Sequence, residues 1–308
     1  MISDALGEKF YSNGKLLITG EYVVLDGALA LAIPTKFGQS LEVKKSDDQN
    51  IHWKSFDENH QIWFKETFDL NSLHGLDINN QISRTLSKIL QEARALNPDF
   101  LSIGQGFEIM TKLDFPRNWG LGTSSTLINN IAMWSRTDGF TLLSNSFGGS
   151  GYDIAAAQND FPIFYKIGDK KPEIRSADIN WDFKESLFFV HLNRKQDSKK
   201  GIEHYKNAAA ERKVINRISE ISMEVANCRS LEQFESLMGE HESIISNSIG
   251  IPPIREKLFK DYPFIIKSLG AWGGDFILAT GSKTDWDYFR RKGFGTIISF
   301  SDMIKLKR

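Results

Sequence analysis

The sequence predicts an α+β fold of two domains in which helices pack on β-sheets. The chain has 308 residues, and a single hydrophobic core rarely grows beyond ~250 residues before a chain divides. Apolar residues make up 41% and charged residues 25% of the chain, which is the composition of a globular protein with a sizeable core. Segments with the period of strands and segments with the period of helices both occur. We place the boundary in the polar segment after Phe164, which gives domains 1–170 and 171–308.

Closely spaced strands open the first domain. They are predicted at residues 15–19, 28–34, 39–45 and 61–68. Polar and apolar side chains alternate in the third of these segments, as they do in a strand with one buried face.

The hydrophobic period changes after Asn79. Apolar residues there recur at helical spacing and form one stripe, at Ile82, Leu86, Ile89, Leu90 and Ala93. This stripe predicts a helix that packs on the sheet and ends near Asn97. A strand at 106–111 and a second helix at 124–135 are predicted next.

The second domain begins with an apolar strand at 187–192, followed by a long helical region at 199–246 that breaks near 227–230. The remaining predicted elements are strands at 265–268 and 276–280, a helix at 286–292 and a strand at 296–300. Strands and helices in this arrangement indicate a layer of helices on a sheet.

Charge and cysteine content exclude several classes of protein. Lys and Arg (38) balance Asp and Glu (39), so no overall field attracts nucleic acid or a membrane surface. The single cysteine, Cys228, excludes an intramolecular disulfide. The N-terminal segment lacks a secretory signal, and no apolar run approaches the ~18 residues that span a bilayer. We therefore expect a cytoplasmic protein that binds neither nucleic acid nor membranes.

Metal-hydrolase and serine-hydrolase chemistry lack their usual signatures. The six histidines form no HExxH pair, and the sequence has no GxSxG turn. A zinc enzyme and a serine hydrolase are therefore disfavoured.

The strongest chemical signal is the run PRNWGLGTSST at 116–126, which lies between a predicted strand and a predicted helix. Glycines let backbone N–H groups approach a ligand closely, and the start of a helix has unpaired N–H groups. Together they bind phosphate, and a hydroxyl of Thr123, Ser124 or Ser125 could ligate Mg²⁺. The alternative is an ordinary helix cap, for which Ser and Thr are common.

Three other segments carry candidate residues, and each has a structural alternative. In SFGGSGYDIAAA, Asp153 could orient an acceptor proton or could cap a helix. Gly270, Gly273 and Gly274 could form a ligand loop or a tight turn between strands. Lys15 and Glu21 flank a strand near the N-terminus, where lone charges are usually solvated.

In their order along the chain, these segments resemble the motifs of the GHMP kinases, which include galactokinase and the homoserine, mevalonate and phosphomevalonate kinases. The first motif is GKLLITGEY at 14–22, the second PRNWGLGTSS at 116–125 and the third GAWGGD at 270–275. SGYD at 150–153 resembles a segment of the mevalonate and phosphomevalonate kinase branch. The segments GEYVVLDG and SGYDIAAA resemble those of phosphomevalonate kinases, and more narrowly those of a bacterial subgroup named after its Gly-Tyr-Asp-Ile-Ala run.

The resemblance implies a ribosomal-S5-like N-terminal domain and a ferredoxin-like C-terminal domain, with ATP and Mg²⁺ as cofactors. It implies that Asp153 is the catalytic carboxylate, that Lys15 lies near the acceptor hydroxyl and that Ser124 ligates Mg²⁺. The implied nucleotide-binding residues are Gly120, Leu121, Gly122, Thr123, Ser124 and Ser125. The implied substrate-binding residues are Glu21, Ser150, Gly151, Lys195, Ser198, Gly273 and Gly274.

The implied function is phosphorylation of a small anionic metabolite, mevalonate or phosphomevalonate, for isoprenoid precursors. The alternatives are a kinase of homoserine or a sugar, a decarboxylase that phosphorylates transiently, and a nucleotide- or ligand-binding protein without turnover. Trp119 and Trp272 depart from the family pattern and predict a reshaped nucleotide pocket or an indole that stacks on the base. Surface-like Trp and Phe residues leave room for a homodimer.

Overall fold

The structure is a computed structural model that describes residues 7–77, 79–102, 104–194, 205, 210–270, 272 and 274–306. The described residues fall into two compact units. Unit 1 lies within Met1–Gly14, Phe37–Arg117 and Gly122–Gln158, and unit 2 lies within Lys15–Lys36, Asn118–Leu121 and Asn159–Arg308. Strands β1 (Glu8–Thr19) and β2 (Ala30–Ser46) pair with each other, and each has residues in both units.

The sheet of unit 1 has the strand order β4-β3-β5-β2. Its further strands are β3 (Asn50–Phe56), β4 (Ile62–Asp69) and β5 (Gly106–Leu113). β3 is parallel to β5, while β4 and β2 are antiparallel to their neighbours. Alternate residues of β3 are buried, as expected when one face of a sheet packs on a core.

Helices cover one face of this sheet. They are α1 (Gln81–Leu96), α2 (Thr123–Ser135), α3 (Gly139–Ser146) and α4 (Tyr152–Ala157). α1 begins where the side chain of Asn80 accepts hydrogen bonds from the Ile82 and Ser83 backbone N–H groups. Apolar side chains of α1 and α2 share one core with the buried side chains of the strands, among them Ile51 and Ile109.

Unit 2 contains two groups of paired strands. Residues 30–32 of β2 pair with β6 (Ile163–Lys166), which pairs with β7 (Glu173–Ser176). Within the described residues, an antiparallel sheet has the order β11-β8-β10-β9. Its members are β8 (Leu187–His191), β9 (Ile266–Ser268), β10 (Phe276–Thr280) and β11 (Ile297–Ser299).

Helices of unit 2 complete its core. They are α5 (Arg212–Asn227), α6 (Leu231–Ile249), α7 (Ile254–Leu258), α8 (Trp286–Arg291) and α9 (Phe300–Met303). α6 and α7 both pack on β9. Buried side chains of the antiparallel sheet, such as Phe188 and Ile277, pack with Phe289 of α8.

Most predicted elements are confirmed, including the break between α5 and α6, where Cys228 is a buried helix cap. The predicted start of the long helical region, at 199–204, lies outside the described residues. The predicted strands at 28–34 and 39–45 are one strand, β2. Pro34 does not interrupt it because the pairing with β6 involves residues 30–32 and the pairing with β5 involves residues 39–46.

Strands β3, β6 and β7 are not among the elements that the sequence predicts. β7 lies in the polar segment that contains the predicted domain boundary, and its residues are largely exposed. β3 and β6 are short strands between polar segments, and they too were missed. The apolar stripe of α1 holds for Leu86, Ile89, Leu90 and Ala93, but Ile82 at its first turn is 39% exposed.

The division into units differs from the single boundary near residue 170 that the sequence predicts. Residues 30–32 pair with residues 163–165, so part of the N-terminal segment belongs to unit 2. Within the part of the chain that the structure describes, no helix has both the length and the apolar character of a bilayer-spanning segment.

The contrast within α1 gives a stability test. Leu90 is completely buried, so we expect Leu90→Ala to lower the free energy of unfolding by about 2–5 kcal/mol. Ile82→Ala, in the exposed first turn of the same helix, should change it by less than about 0.5 kcal/mol. Denaturant unfolding followed by circular dichroism measures both variants, and equal losses would contradict the described packing of α1.

Candidate functional site

Lys15 of the first motif is held by the second motif at two atoms. Its backbone N–H donates to the carbonyl oxygen of Leu121 at 3.0 Å. Its ammonium Nζ donates to the carbonyl oxygen of Gly120, also at 3.0 Å, in a partly buried position. The ammonium of Lys15 therefore has a fixed place beside the glycine-containing loop.

Asp275 of the third motif lies against the same glycine. Gly120 has a φ of +68°, and a Cβ atom built on it would lie 2.2 Å from the Asp275 carboxyl group. A Cβ atom on Gly270 would lie 3.6 Å from Oδ2 of Asp275. The backbone of Asp275 is held by another segment of the same chain, since its N–H donates to the Arg194 carbonyl oxygen at 2.7 Å. Only glycine at position 120 leaves room for this carboxyl group.

The three motifs thus meet at Gly120, with Lys15 on its carbonyl oxygen and Asp275 against its Cα. All of these residues belong to unit 2. A ligand site shared by segments that lie far apart in sequence requires contacts of this kind between them.

The second motif continues into α2, whose N-cap is Gly122 with a φ of +96°. No side chain caps this helix start. The Thr126 N–H makes a helical bond to the Gly122 carbonyl oxygen at 2.9 Å, so the N–H groups of Thr123, Ser124 and Ser125 come before it in the helix. Such a start presents several N–H groups and the positive end of the helix dipole.

The hydroxyl groups of this turn have different environments. Ser125 Oγ donates to the Gly122 carbonyl oxygen at 2.9 Å, and Thr126 Oγ1 donates to Gln39 Oε1 at 2.7 Å. Ser124 is exposed. The alternative of an ordinary Ser or Thr cap is wrong, because the cap position is occupied by glycine.

Asp153 lies in the first turn of α4, after Gly151, which has a φ of +87° and is the N-cap. No side chain caps this helix either, so Asp153 is not the N-cap. Its carboxylate is half-buried and accepts a hydrogen bond from the Ile154 N–H at 3.1 Å. α4 packs on α2, and Gln158 Nε2 donates to Asn129 Oδ1 at 2.9 Å. Asp153 and residues 122–125 are therefore carried by two packed helices of unit 1.

Glu21 belongs to a buried cluster of charged groups in unit 2. Its carboxylate is 1% exposed and lies 2.5 Å from Nζ of Lys267, which is completely buried. A second carboxylate, Glu242, lies 3.3 Å from the same ammonium and accepts a hydrogen bond from Ser268 Oγ at 2.8 Å. Two carboxylates thus share one buried cation.

His241 lies beside this cluster without contributing a charge. Its Nε2 accepts a hydrogen bond from the Gly20 N–H at 2.9 Å, which requires a lone pair on that nitrogen. Burial, with a further contribution from Lys267, holds the pKa of His241 well below its usual range. The 3.4 Å approach of Nε2 to Glu21 is consequently not an ion pair.

Burial shifts the titration of both carboxylates. It raises the pKa of Glu21 from 4.5 to about 7, although Lys267 opposes the shift. It also raises the pKa of Glu242. Both directions agree with the geometry, because two carboxylates lie beside a single buried ammonium and buried charge without a partner is unfavourable.

The structure corrects one expectation about the tryptophans. Trp272 is 1% exposed and packs with its ring centre 5.8 Å from Lys267 Nζ, so its indole is not available to stack on a base. Trp119 is half-buried and meets the ring of Phe276 edge-on at 5.3 Å. Neither contact was predicted from the sequence.

The remaining predicted substrate residues have mixed outcomes. Lys195, Ser198 and Gly273 lie outside the described residues. Gly274 and Gly151 are buried backbone positions, and Ser150 is half-buried before α4. At 1% exposure, Glu21 is placed to organise the structure around it rather than to touch a dissolved molecule.

Sequence reasoning missed one contact of the site, Asp275, and two groups of the buried cluster beside Glu21, namely Lys267 and Glu242. One signal was present, since Lys267 interrupts the apolar run after Phe264 and a lysine in a buried strand needs a partner. The identity of the partners could not be read from the sequence, because Glu21 and Glu242 are far from it along the chain.

No cluster of three or more His, Cys, Asp or Glu side chains that could hold a metal ion occurs among the described residues. Mg²⁺ bound with a nucleotide does not need such a cluster, since it keeps several waters and binds phosphate oxygens.

Comparison with known proteins shows likeness at the level of structure. The mevalonate kinase of Methanococcus jannaschii matches over 98% of this chain and 99% of its own, with a TM-score of 0.70 and 14% identity. The phosphomevalonate kinase of Streptococcus pneumoniae, crystallised with phosphomevalonate and AMPPNP, matches over 95% and 99%, with a TM-score of 0.69 and 17% identity. The galactokinase of Lactococcus lactis, crystallised with galactose, matches over 97% and 95%, with a TM-score of 0.66 and 13% identity.

No protein-family model matches the sequence, and no curated protein matches it. The structural likenesses nevertheless cover nearly the whole of each chain, and they establish the fold. The chain has the two-domain fold of GHMP kinases, which confirms the predicted fold class. The predicted GYDIA subgroup stays a prediction.

The contact at Gly120 gives a test of the site. In Gly120→Ala the new Cβ meets the Asp275 carboxyl group at 2.2 Å and keeps a left-handed φ, so we expect a clear loss of thermal stability. Gly27→Ala is the matched control, because Gly27 has a φ of +86° and no atom within 4 Å of the new Cβ. Its loss should be limited to about 1–2 kcal/mol of backbone strain.

A second change shows whether Asp275 is the obstacle. Asp275→Gly removes the carboxyl group and its Cβ, so the double variant with Gly120→Ala should lose less than the two single variants together. Additive losses in thermal unfolding, or equal losses for Gly120→Ala and Gly27→Ala, would refute the described contact.

The raised pKa of Glu21 predicts a pH dependence of stability. Between pH 4.5 and about 7 the unfolded chain releases the Glu21 proton while the folded protein retains it. The free energy of unfolding of the wild type should therefore fall with rising pH relative to Glu21→Gln, by about 3 kcal/mol. Denaturant titrations at several pH values measure the difference. Glu256→Gln makes the same chemical change at an exposed glutamate and is the control. A wild-type free energy of unfolding that rises with pH relative to that of Glu21→Gln would contradict the assignment.

Proposed function

We propose that the protein is an ATP-dependent kinase that transfers the γ-phosphoryl group to a small anionic metabolite, with mevalonate or phosphomevalonate as the acceptor. The observation that carries this proposal is the meeting of the three motifs at Gly120. An ammonium is fixed there, and α2, which begins three residues later in the sequence, has no side-chain cap. Phosphoryl transfer depends mainly on positioning and on neutralising charge, which such an arrangement supplies.

The N–H groups of Thr123, Ser124 and Ser125 are the proposed cradle for the phosphates. A helix start binds anions through these groups and through its dipole. Gly122 contributes no side chain, so a phosphate can approach the backbone closely. Gly120 and Leu121 complete the loop through their bonds to Lys15.

Lys15 is proposed to stabilise the charge that develops on the acceptor oxygen and the transferred group. Its ammonium is partly buried, and preorganised charge is worth more in such a position than in water. The bond to the Gly120 carbonyl oxygen holds the ammonium in place before any ligand arrives.

Asp153 is proposed to accept or orient the acceptor proton. Its position in the first turn of α4, which packs on α2, fixes it relative to the phosphate-binding helix start within unit 1. The convergence of Asp153 with Lys15 around one triphosphate is part of the proposal.

The residues fit a Mg²⁺ ion that arrives with the nucleotide. Ser124 is exposed in the first turn of α2 and offers a single hydroxyl oxygen, which suits an ion that keeps most of its waters and binds phosphate oxygens. When bound, Mg²⁺ neutralises phosphate charge. The residues of the chain then have to position and shield the reacting groups.

The choice of acceptor is supported by the structures that the chain resembles, since they include mevalonate and phosphomevalonate kinases. Ser150, Gly151, Lys195, Ser198, Gly273 and Gly274 remain the proposed substrate-side residues. A cytoplasmic location and a homodimer also remain predictions.

ADP release in the presence of Mg·ATP tests the function. Wild-type protein should release ADP with mevalonate or phosphomevalonate and much less with homoserine or galactose. We expect Asp153→Asn to reduce turnover at least ~100-fold, the low end for a positioned acid or base.

Asp47→Asn is the control, because it makes the same chemical change at an exposed position. It should retain wild-type turnover. Full activity of Asp153→Asn would remove the catalytic assignment, turnover with galactose or homoserine alone would change the acceptor, and no ADP release with any acceptor would reject the kinase.

A further inference from the structure

The buried ion pair of Glu21 and Lys267 joins the two outer motifs at a second point. Glu21 lies in the turn that follows β1, six residues after Lys15, and Lys267 lies on β9, three residues before Gly270. Their charged atoms are 2.5 Å apart, and both side chains are buried. All of these residues belong to unit 2.

The turn that carries Glu21 has a constrained backbone conformation. Gly20 has a φ of +92°, and a Cβ atom on it would lie 2.7 Å from the Ala30 side chain. Its N–H group donates to His241, and Tyr22 has a positive φ of 62°. Such a turn needs fixed partners to keep its shape.

The strand that carries Lys267 is fixed just as closely before the third motif. Ser268 Oγ donates to Glu242 and accepts a hydrogen bond from the Ile254 N–H at 3.1 Å. Trp272 closes over the ammonium of Lys267. The ion pair is therefore the side-chain link between this strand and the turn after Lys15.

The two motif segments are consequently tied at both ends. Lys15 and Asp275 meet at Gly120 at one end, and Glu21 and Lys267 meet at the other. Loosening the second tie would let the segments shift, and the first contact, where the ammonium of Lys15 is held, would move with them.

The Glu21–Lys267 ion pair is better suited to fixing the positions of the two segments than to raising the stability of the fold. Charged groups in a protein interior lose so much hydration that a buried ion pair is often no more stabilising than apolar side chains of the same size. The pair does require a defined distance and direction. Replacing Glu21 leaves Lys267 paired with Glu242, so this change should disturb the alignment of the segments without leaving an unpaired buried charge.

We propose that Glu21 and Lys267 are positioning residues, whose buried ion pair sets the placement of Lys15 and of the third motif around Gly120. This inference rests on the proposed kinase function for its catalytic consequence. Glu21 and Lys267 do not touch the substrate in this scheme, and they act through Lys15 and through residues 270–275.

A matched pair of variants separates positioning from a general effect of the cluster. Glu21→Gln removes the carboxylate that reaches the Lys15 turn and leaves Lys267 paired with Glu242. Glu242→Gln removes the other carboxylate and leaves the Glu21–Lys267 pair intact. Each variant keeps one cation and one anion, so their costs in stability should be similar.

We expect Glu21→Gln to lower kcat about 10-fold with a smaller change in KM for ATP, and Glu242→Gln to keep kcat within about twofold. Glu21→Asp keeps the charge but shortens the side chain, and it should also lower kcat. It provides the test if Glu21→Gln does not fold. Equal losses in the two Gln variants, or none in Glu21→Gln and Glu21→Asp, would overturn the proposal.

Hydrogen exchange tests the same link without relying on turnover. The Lys15 amide is bonded to the Leu121 carbonyl oxygen, and it should exchange at least several-fold faster in Glu21→Gln than in Glu242→Gln. Peptides from β3 serve as the internal control. Absence of turnover in the wild type would reject the kinase function, while unchanged exchange at Lys15 in Glu21→Gln would reject the positioning role.

Discussion

The contact at Gly120 is the constraint on which the rest of the site depends. A residue with any side chain at this position would collide with the Asp275 carboxyl group, and the carbonyl oxygen of the same residue receives the ammonium of Lys15. One glycine therefore brings together segments from three distant parts of the chain. The contact lies entirely within unit 2, since Lys15, Gly120 and Asp275 all belong to that unit.

Unit 2 also contains a cluster of buried polar and charged groups. Two carboxylates, one ammonium and a neutral histidine are enclosed in unit 2. Burial alone would expel such groups, so their presence requires close pairing and hydrogen bonds. A cluster of this kind adds directional demands that an apolar core lacks, and it lies between the strand carrying Lys15 and the third motif. Under the proposed function, the precise positioning that phosphoryl transfer requires gives a physical reason for that placement.

The chain shares its fold with mevalonate, phosphomevalonate and galactose kinases at only 13–17% identity. A core tolerates wide exchange of apolar residues provided that volume and pattern are kept. Glycines that need a positive φ or a close approach tolerate little. No family model matches the sequence, so the functional proposal depends on the short motifs at 14–22, 116–125 and 270–275 together with the fold.

By itself, the sequence determined the fold class, most helices and strands, and the three motifs, because periodicity, turns and glycine runs are local properties. The apolar stripe of α1 and the break before α6 are examples. Only the tertiary structure decided that Asp275 faces Gly120, that Glu21 is buried and that Lys267 is its partner. Burial and pairing depend on which distant segments meet, and no local pattern in the chain records that choice.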